Sequence, residues 1–416
     1  MSDDGTISSD DAGTSRVAVR VTKDALRRVR AGHPWIFDGS VESVRPEGRS
    51  GDLAVVFDDR RRFAAIGLYD PDSPIRVKVL HHGSPVQVDA VFWEGRLRSA
   101  LERRSALVGS TRTDAFRWVN GENDGLPGLV LDIYGDVVVM KLYTAAWLPH
   151  LELLVDAVVS LRHPSSVVLR LARQLGSTAE QVSDGSALYG PLPEGPVEFL
   201  ENDLRFVADV VRGQKTGHFL DQRDNRLRVR GLSSGARVLD VYSCTGGFSV
   251  NAAAGGAQLV HSVDISAAAI ATARRNMELN RDRPAVRACR HHTSVGDAME
   301  VMAEMAAAGR TFDVVVVDPP SFARKASQVD GALRAYGRLT RAALELVEPG
   351  GVLVQASCSS RVSTEDFHAA VLDAAETSDR QLLDVLRTGH APDHPIGFPE
   401  GEYLKGLIAT VGERRR

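Results

Sequence analysis

The chain has 416 residues, with Lys+Arg 50 against Asp+Glu 54 and a formal net charge of −4, which excludes a protein that coats nucleic acid by global charge but leaves room for a local basic face. Hydrophobic residues at 43% and charged residues at 25% are globular proportions, and roughly 150 residues per domain predicts two or three domains. No run of about 18 apolar residues occurs, and Cys244, Cys289 and Cys358 form no CxxC pair, so no membrane span, disulfide framework or bound metal is expected and the compartment reads as cytoplasmic.

Residues 1–15 are acidic and polar, without the apolar stretch of a secretory signal, and read as a disordered leader. From 16 to 85 the pattern is short and β-rich: RVAVRV and IRVKVL alternate, and DLAVVFDD is a compact strand. Between them KDALRRVR predicts one short helix that ends before Gly32 and Pro34. Arg16, Arg20, Lys23, Arg27, Arg28 and Arg30 face one acid there, Asp24, so a small barrel with a basic helix suits RNA, against the plainer reading of a solvated helix face. Residues 86–205 form a mixed α+β segment, with a helix over VFWEGRLRSALERRSAL and two strand-like runs after Asn123-Asp124-Gly125 and Gly135-Asp136. These turn residues read as connection chemistry first and as ligand contacts second.

From 206 to 416 apolar runs (ARVLDVYS, QLVHSVDIS, FDVVVVDPPSF, GGVLVQASCSS) alternate with helical stretches, which predicts an α/β domain with a mainly parallel sheet and its ligand site beyond the strands' carboxyl ends. Asp240 closes the first run and leads into a loop with Gly246 and Gly247, where the missing Cβ lets the backbone turn tightly. Asp264 and Asp297 follow at later strand ends, positions where an acid accepts from ribose hydroxyls or caps the next helix. Asp318-Pro319-Pro320-Ser321-Phe322 is a stiff loop with an acid and an aromatic, suited to a planar base: Phe322 to stack, Asp318 and the backbone to hydrogen-bond.

Together DVYSCTGGFSVNAA, VDIS, GDA, DPPSF and QASCSS resemble a class I S-adenosylmethionine-dependent methyltransferase with a Rossmann-like fold. VRGQKTGHFLDQRDNR, NGENDGLPGLVLDIYGD and APDHPIGFPEGEYLKG resemble, more closely, bacterial 23S rRNA cytosine-5 methyltransferases with an N-terminal PUA domain. The resemblance implies S-adenosylmethionine as cofactor, large-subunit rRNA as partner, and neither membrane nor metal, and it leaves a homodimer open. It implies cofactor contacts at Gln214, Thr216, Phe219, Asp221 and Arg223, then Asp240, Tyr242 and Gly246. Asp264 with Ile265 falls to the ribose, Asp297 with Ala298 to the adenine side, and Asp318 to cofactor and base alike. Pro319, Pro320 and Phe322 would contact the target base, and Arg20, Arg27, Arg28 and Arg30 the RNA.

Cytosine C5 is not nucleophilic, so its methylation needs a cysteine thiolate added at C6. Cys358, just after GGVLV, is the expected nucleophile, with Arg361 and Lys325 as nearby positive charge. Cys289 reads as an ordinary buried thiol and Cys244 as a small side chain near the cofactor. Ser321 stands where many RNA cytosine-5 methyltransferases carry a second cysteine, as it does in the resembled family. Two other functions compete: methylation of an exocyclic base nitrogen, which needs no covalent step, and a non-catalytic RNA-binding assembly factor.

Overall fold

The computed structural model describes residues 15–175, 182–213 and 216–414; the expected leader, apart from Ser15, and the expected cofactor residue Gln214 lie outside them. Two compact units divide the chain: the residues up to Gly109 with Phe116–Val197 and Asp209–Gly217 form one, and Ser110–Ala115, Glu198–Ala208 and His218–Arg416 form the other.

The first unit opens with β1 (Arg16–Val21), α1 (Lys23–Arg30), β2 (Trp35–Phe37), β3 (Val41–Arg45), β4 (Leu53–Phe57), β5 (Phe63–Tyr69) and β6 (Ile75–His82). The strands make one sheet in the order β2-β6-β5-β4-β1-β3. Strict alternation along β1 turns Val17, Val19 and Val21 inward. Thr22 starts α1 by accepting from the Ala25 amide, and Ala25, Leu26 and Val29 form its buried stripe. A Cβ on Gly67 would lie 2.3 Å from the Lys78 carbonyl oxygen, so the close approach of β5 to β6 requires glycine.

The same unit continues with α2 (Ala90–Glu102), β7 (Ala115–Asn120), β8 (Leu129–Tyr134), β9 (Val137–Leu142), α3 (Leu151–Arg162), β10 (Ser166–Leu171) and β11 (Ala187–Tyr189), a second sheet in the order β11-β10-β9-β8-β7. The two strand-like runs of the sequence are the antiparallel hairpin β8–β9, closed by Gly135 in the left-handed region. Leu53, Ile66, Leu68 and Leu80 of the first sheet share one core with Trp93, Trp118, Leu131, Met140 and Trp147. Asp124 in the preceding turn is connection chemistry, as expected: its buried carboxylate takes both guanidinium nitrogens of Arg104 at 2.7 Å.

The second unit holds the hairpin β12 (Val197–Glu201) and β13 (Leu204–Ala208), then α4 (Arg223–Gly231), β14 (Arg237–Val241), α5 (Gly247–Ala254), β15 (Leu259–Asp264), α6 (Ala267–Leu279), α7 (Pro284–Ala288), β16 (Arg290–Val295), α8 (Ala298–Ala307), β17 (Phe312–Val317), α9 (Val329–Leu346), β18 (Val347–Ser357), α10 (Thr364–Glu376), β19 (Arg380–Thr388) and β20 (Lys405–Arg414). The sheet runs β16-β15-β14-β17-β18-β20-β19. Its first five strands are parallel, and β20 enters antiparallel between β18 and β19. Val314–Val317 of β17 are buried throughout, as a strand covered on both faces must be. The α/β class expected from the alternating pattern is therefore the observed one.

Candidate active site

Two loops at the carboxyl ends of the parallel strands carry the expected site. The first follows β14. Tyr242 (φ 62°), Cys244 (φ 47°) and Gly246 (φ 77°) all lie in the left-handed region, so the chain coils tightly before α5. A Cβ on Gly246 would come within 2.8 Å of the Ala273 methyl, so this glycine answers to helix packing as well as to the turn. Asp264 ties the loop down: one carboxylate oxygen accepts from the Cys244 amide at 2.9 Å and the other from the Ser266 amide at 2.8 Å. Asp240 is fully buried, and one of its oxygens accepts from both the amide and the hydroxyl of Ser249. Its other oxygen finds no partner among the described residues. Burial, with Asp318 and Asp264 nearby and against the hydrogen bonds of Ser249, pushes the Asp240 carboxyl up to about 7. Asp297 does act as a helix cap, accepting from the Met299 amide at 2.9 Å at the start of α8, directly before the buried Ala298. Ile265 is exposed beside Asp264.

The second loop follows β17. Parallel pairing sets Val317 opposite Gln355, so Asp318 and Cys358 leave neighbouring strand ends. The Cys358 sulfur lies 3.9 Å from the Pro319 carbonyl oxygen, and the Ser359 hydroxyl donates to the Ala323 carbonyl at 3.0 Å, joining the turn after β18 to the loop after β17. Pro319 is buried and Pro320 exposed, while Cys358 is partly exposed. The other thiols are less fit for attack. Burial, with Asp264 adding to it, pushes Cys244 up to about 11, and burial alone takes Cys289 as high, against the opposing pull of the Val260 backbone and Arg290.

Residues 173–408 match the family of S-adenosylmethionine-dependent methyltransferases, and residues 19–82 match the PUA-like domain family. Over 402 residues the chain is 48% identical to a ribosomal RNA large subunit methyltransferase of Deinococcus radiodurans, covering 95% of this chain and 98% of that one. It belongs to the S-adenosylmethionine-dependent methyltransferase family. A ribosomal RNA large subunit methyltransferase I of Shewanella frigidimarina is 34% identical over 399 residues, 95% of this chain and 99% of that one. Among solved structures, a SAM-dependent methyltransferase from Streptococcus mutans shares the fold with TM-score 0.79 at 21% identity, over 94% of this chain and 99% of that one. A methyltransferase complexed with SAH does so with TM-score 0.80 at 22% identity, over 95% and 100%.

The residues present fit the cofactor of this methyltransferase family. S-adenosylmethionine carries a sulfonium and an ammonium, and the carboxyl ends of β14, β15 and β17 bring Asp264 and Asp318 within electrostatic reach of Asp240, with one buried carboxyl oxygen unpartnered. The segment expected to complete the site has other work as well. In the first unit, Thr216 is buried and its hydroxyl donates to Asp132 at 2.6 Å, which joins the GQKTGHF and LVLDIYGD motifs. In the second, the Phe219 carbonyl accepts from Arg226, Asp221 accepts from the Tyr403 hydroxyl at 2.8 Å, and Arg223 forms a two-pronged pair with Asp393 at 2.7 and 3.1 Å. The 219–223 motif and the carboxyl-terminal motif thus form one buried structure, 170 residues apart in sequence.

Several expectations need correction. Phe322 packs its ring against Tyr336, with centroids 5.2 Å apart, and stays partly exposed, so the aromatic expected to meet the base also anchors the Asp-Pro-Pro loop. Cys289 is half-buried, not fully buried. Arg361 and Lys325 are both exposed, and the buried cation at the end of β18 is Lys405, which sequence inspection passes over. The basic segment does not face one acid only: Arg27 pairs with Asp24, but Arg30 reaches Asp58 at 2.9 Å and Arg20 of β1 approaches Glu42 at 3.8 Å, while Arg28 meets the His33 ring at 2.9 Å. Among the described residues no group of three or more His, Cys, Asp and Glu side chains is placed to hold a metal ion, and no helix is long and apolar enough to cross a membrane.

Proposed function

We propose that this methyltransferase acts on large-subunit ribosomal RNA in the cytoplasm and forms 5-methylcytosine through a covalent adduct at Cys358. The observation that carries this reading is the meeting of Cys358 and the Asp-Pro-Pro loop at neighbouring strand ends. The names of the relatives support the RNA substrate. The reading divides the labour among residues 16–85 for RNA binding, 86–205 as a middle domain and 206–416 for catalysis, with Arg20, Arg27, Arg28 and Arg30 toward phosphates.

S-adenosylmethionine, when bound, supplies an electrophilic methyl group. Asp240, Tyr242, Gly246, Asp264, Ile265, Asp297 and Ala298 would hold it, with Phe219, Asp221 and Arg223 from the preceding segment. The Cys358 thiolate adds to cytosine C6, and the C5–C6 π electrons make C5 nucleophilic. Asp318 holds the cytosine edge at N3 or the amino group, and Pro319 and Pro320 keep the loop stiff. After C5 has gained the methyl group, a base takes the C5 proton, the double bond re-forms and the C6–S bond breaks, returning the thiolate. Ser321 offers no second thiol, so release depends on that elimination.

Nucleoside analysis of rRNA from a deletion strain and its parent tests the reading. Loss of 5-methylcytidine is expected; loss of an N-methylated base instead would replace the covalent route with nitrogen methylation, and no loss at all would favour the assembly-factor role.

A further inference from the structure

Lys405 begins β20 and is 1% exposed. Burying an ammonium is costly unless its donors are satisfied. Here the satisfying groups are two backbone carbonyls, Ser359 at 2.7 Å and Val362 at 2.6 Å. The antiparallel register sets Lys405 opposite Ser357, so the side chain runs under the turn that carries Cys358. That turn is braced from the other side by Tyr336, whose hydroxyl meets Ser357 at 2.7 Å.

The charges around the thiol make this cation informative. Asp318 leaves the neighbouring strand end and its negative charge disfavours a thiolate. Burial and the nearby charges of Cys358 and Asp318, against the hydrogen bond with Ser357, push Tyr336 up to about 12, so it is neutral and offers no compensation. Arg361 and Lys325 are exposed, where water and salt screen them. Burial lowers the Lys405 ammonium, while Glu402, Cys358 and Glu365 work in the opposite direction.

We propose that Lys405 is the positioning residue for the nucleophile: its ammonium pins the Cys358–Val362 turn through two carbonyls and supplies the buried positive charge that favours the Cys358 thiolate. This rests on the reading of Cys358 as the nucleophile. The thiol proton goes to solvent, and the ammonium takes no part in that transfer.

The test is alkylation of Cys358 by iodoacetamide in the full chain without RNA, followed by mass spectrometry of the Cys358 peptide from pH 5 to 10. In Lys405→Met the midpoint is expected to rise by about one pH unit and the rate at pH 7 to fall roughly tenfold, with Lys405→Arg restoring most of it. An unchanged profile in a folded Lys405→Met protein overturns the proposal. Should that variant not fold, the native chain decides: a midpoint at or above the ordinary thiol value of about 8.5 overturns the proposal, and one clearly below it supports it. Methylation by Cys358→Ala would instead overturn the parent reading, which the alkylation profile does not depend on.

Discussion

Replacing Asp240 with Asn locks the side chain into the state that the buried site prefers. The folded carboxyl titrates at about 7, whereas an unfolded aspartate does so at about 3.9. Between these values the folded chain keeps a proton that the unfolded chain has released, so stability falls as pH rises through this window. About three pH units at roughly 1.4 kcal/mol each amount to about 4 kcal/mol when the window has been crossed. Asn mimics the protonated acid: its carbonyl can accept from Ser249 as Oδ2 does, and it never ionises. Urea unfolding of both proteins from pH 4 to pH 8 should find them nearly equal at the acid end and Asp240→Asn more stable by up to about 4 kcal/mol at the alkaline end. Taking the difference cancels the other titrating groups. A difference that stays constant across the range would show that Asp240 is ionised in the fold at all these pH values. A cationic ligand acts in the reverse sense, so S-adenosylmethionine should bind the native chain more tightly as pH rises through 7, and Asp240→Asn should lose that dependence.

Asp264→Ala removes the acceptor for the Cys244 and Ser266 amides, and each such bond to a carboxylate contributes about 1.5–3 kcal/mol; calorimetry should find S-adenosylmethionine binding weakened at least tenfold, and unchanged affinity would leave Asp264 a loop brace only. Asp393→Ala takes the two-pronged partner from the buried Arg223 guanidinium, leaving Asp224 at 3.7 Å, and should lower unfolding free energy by about 3–5 kcal/mol, a loss below about 1 kcal/mol meaning that Asp224 and water relieve it. Changing Arg20, Arg27, Arg28 and Arg30 to Ala should flatten the salt dependence of RNA binding by roughly 0.7–0.9 slope units for each phosphate no longer neutralised and leave cofactor affinity alone. An unaltered slope would show that Asp24, Asp58 and Glu42 already neutralise this face.

What the sequence makes legible follows from what a local window contains. β14, β15, β17 and β18 are apolar runs with polar ends, and they lie where the alternating pattern places them. β16 escapes such a reading because RHHTSV is a sheet-edge strand with no fully buried residue. β20 shows an apolar core, but nothing local says that it enters between β18 and β19. The same limit governs the site. Asp318 and Cys358 can be paired because both follow parallel strands, a rule of topology. The ties between Arg223 and Asp393, Tyr403 and Asp221, and Lys405 and Ser359 span 46 to 182 residues, and only the fold brings them together. Phe322 follows the same rule: nothing local says that a neighbouring helix supplies Tyr336 as its packing partner.

Trapping the adduct decides whether Cys358 bonds to C6 of a cytosine in large-subunit rRNA. RNA carrying 5-fluorocytidine at the target cannot give up the C5 substituent as a proton, so the elimination that frees the thiolate is blocked. Incubated with S-adenosylmethionine, the native chain should form a denaturant-resistant adduct whose RNA-linked peptide contains Cys358, and Cys358→Ala should form none while still binding the cofactor. An adduct mapped to Cys244 or Cys289, or full methylation of ordinary rRNA by Cys358→Ala, would show that Cys358 is not the nucleophile.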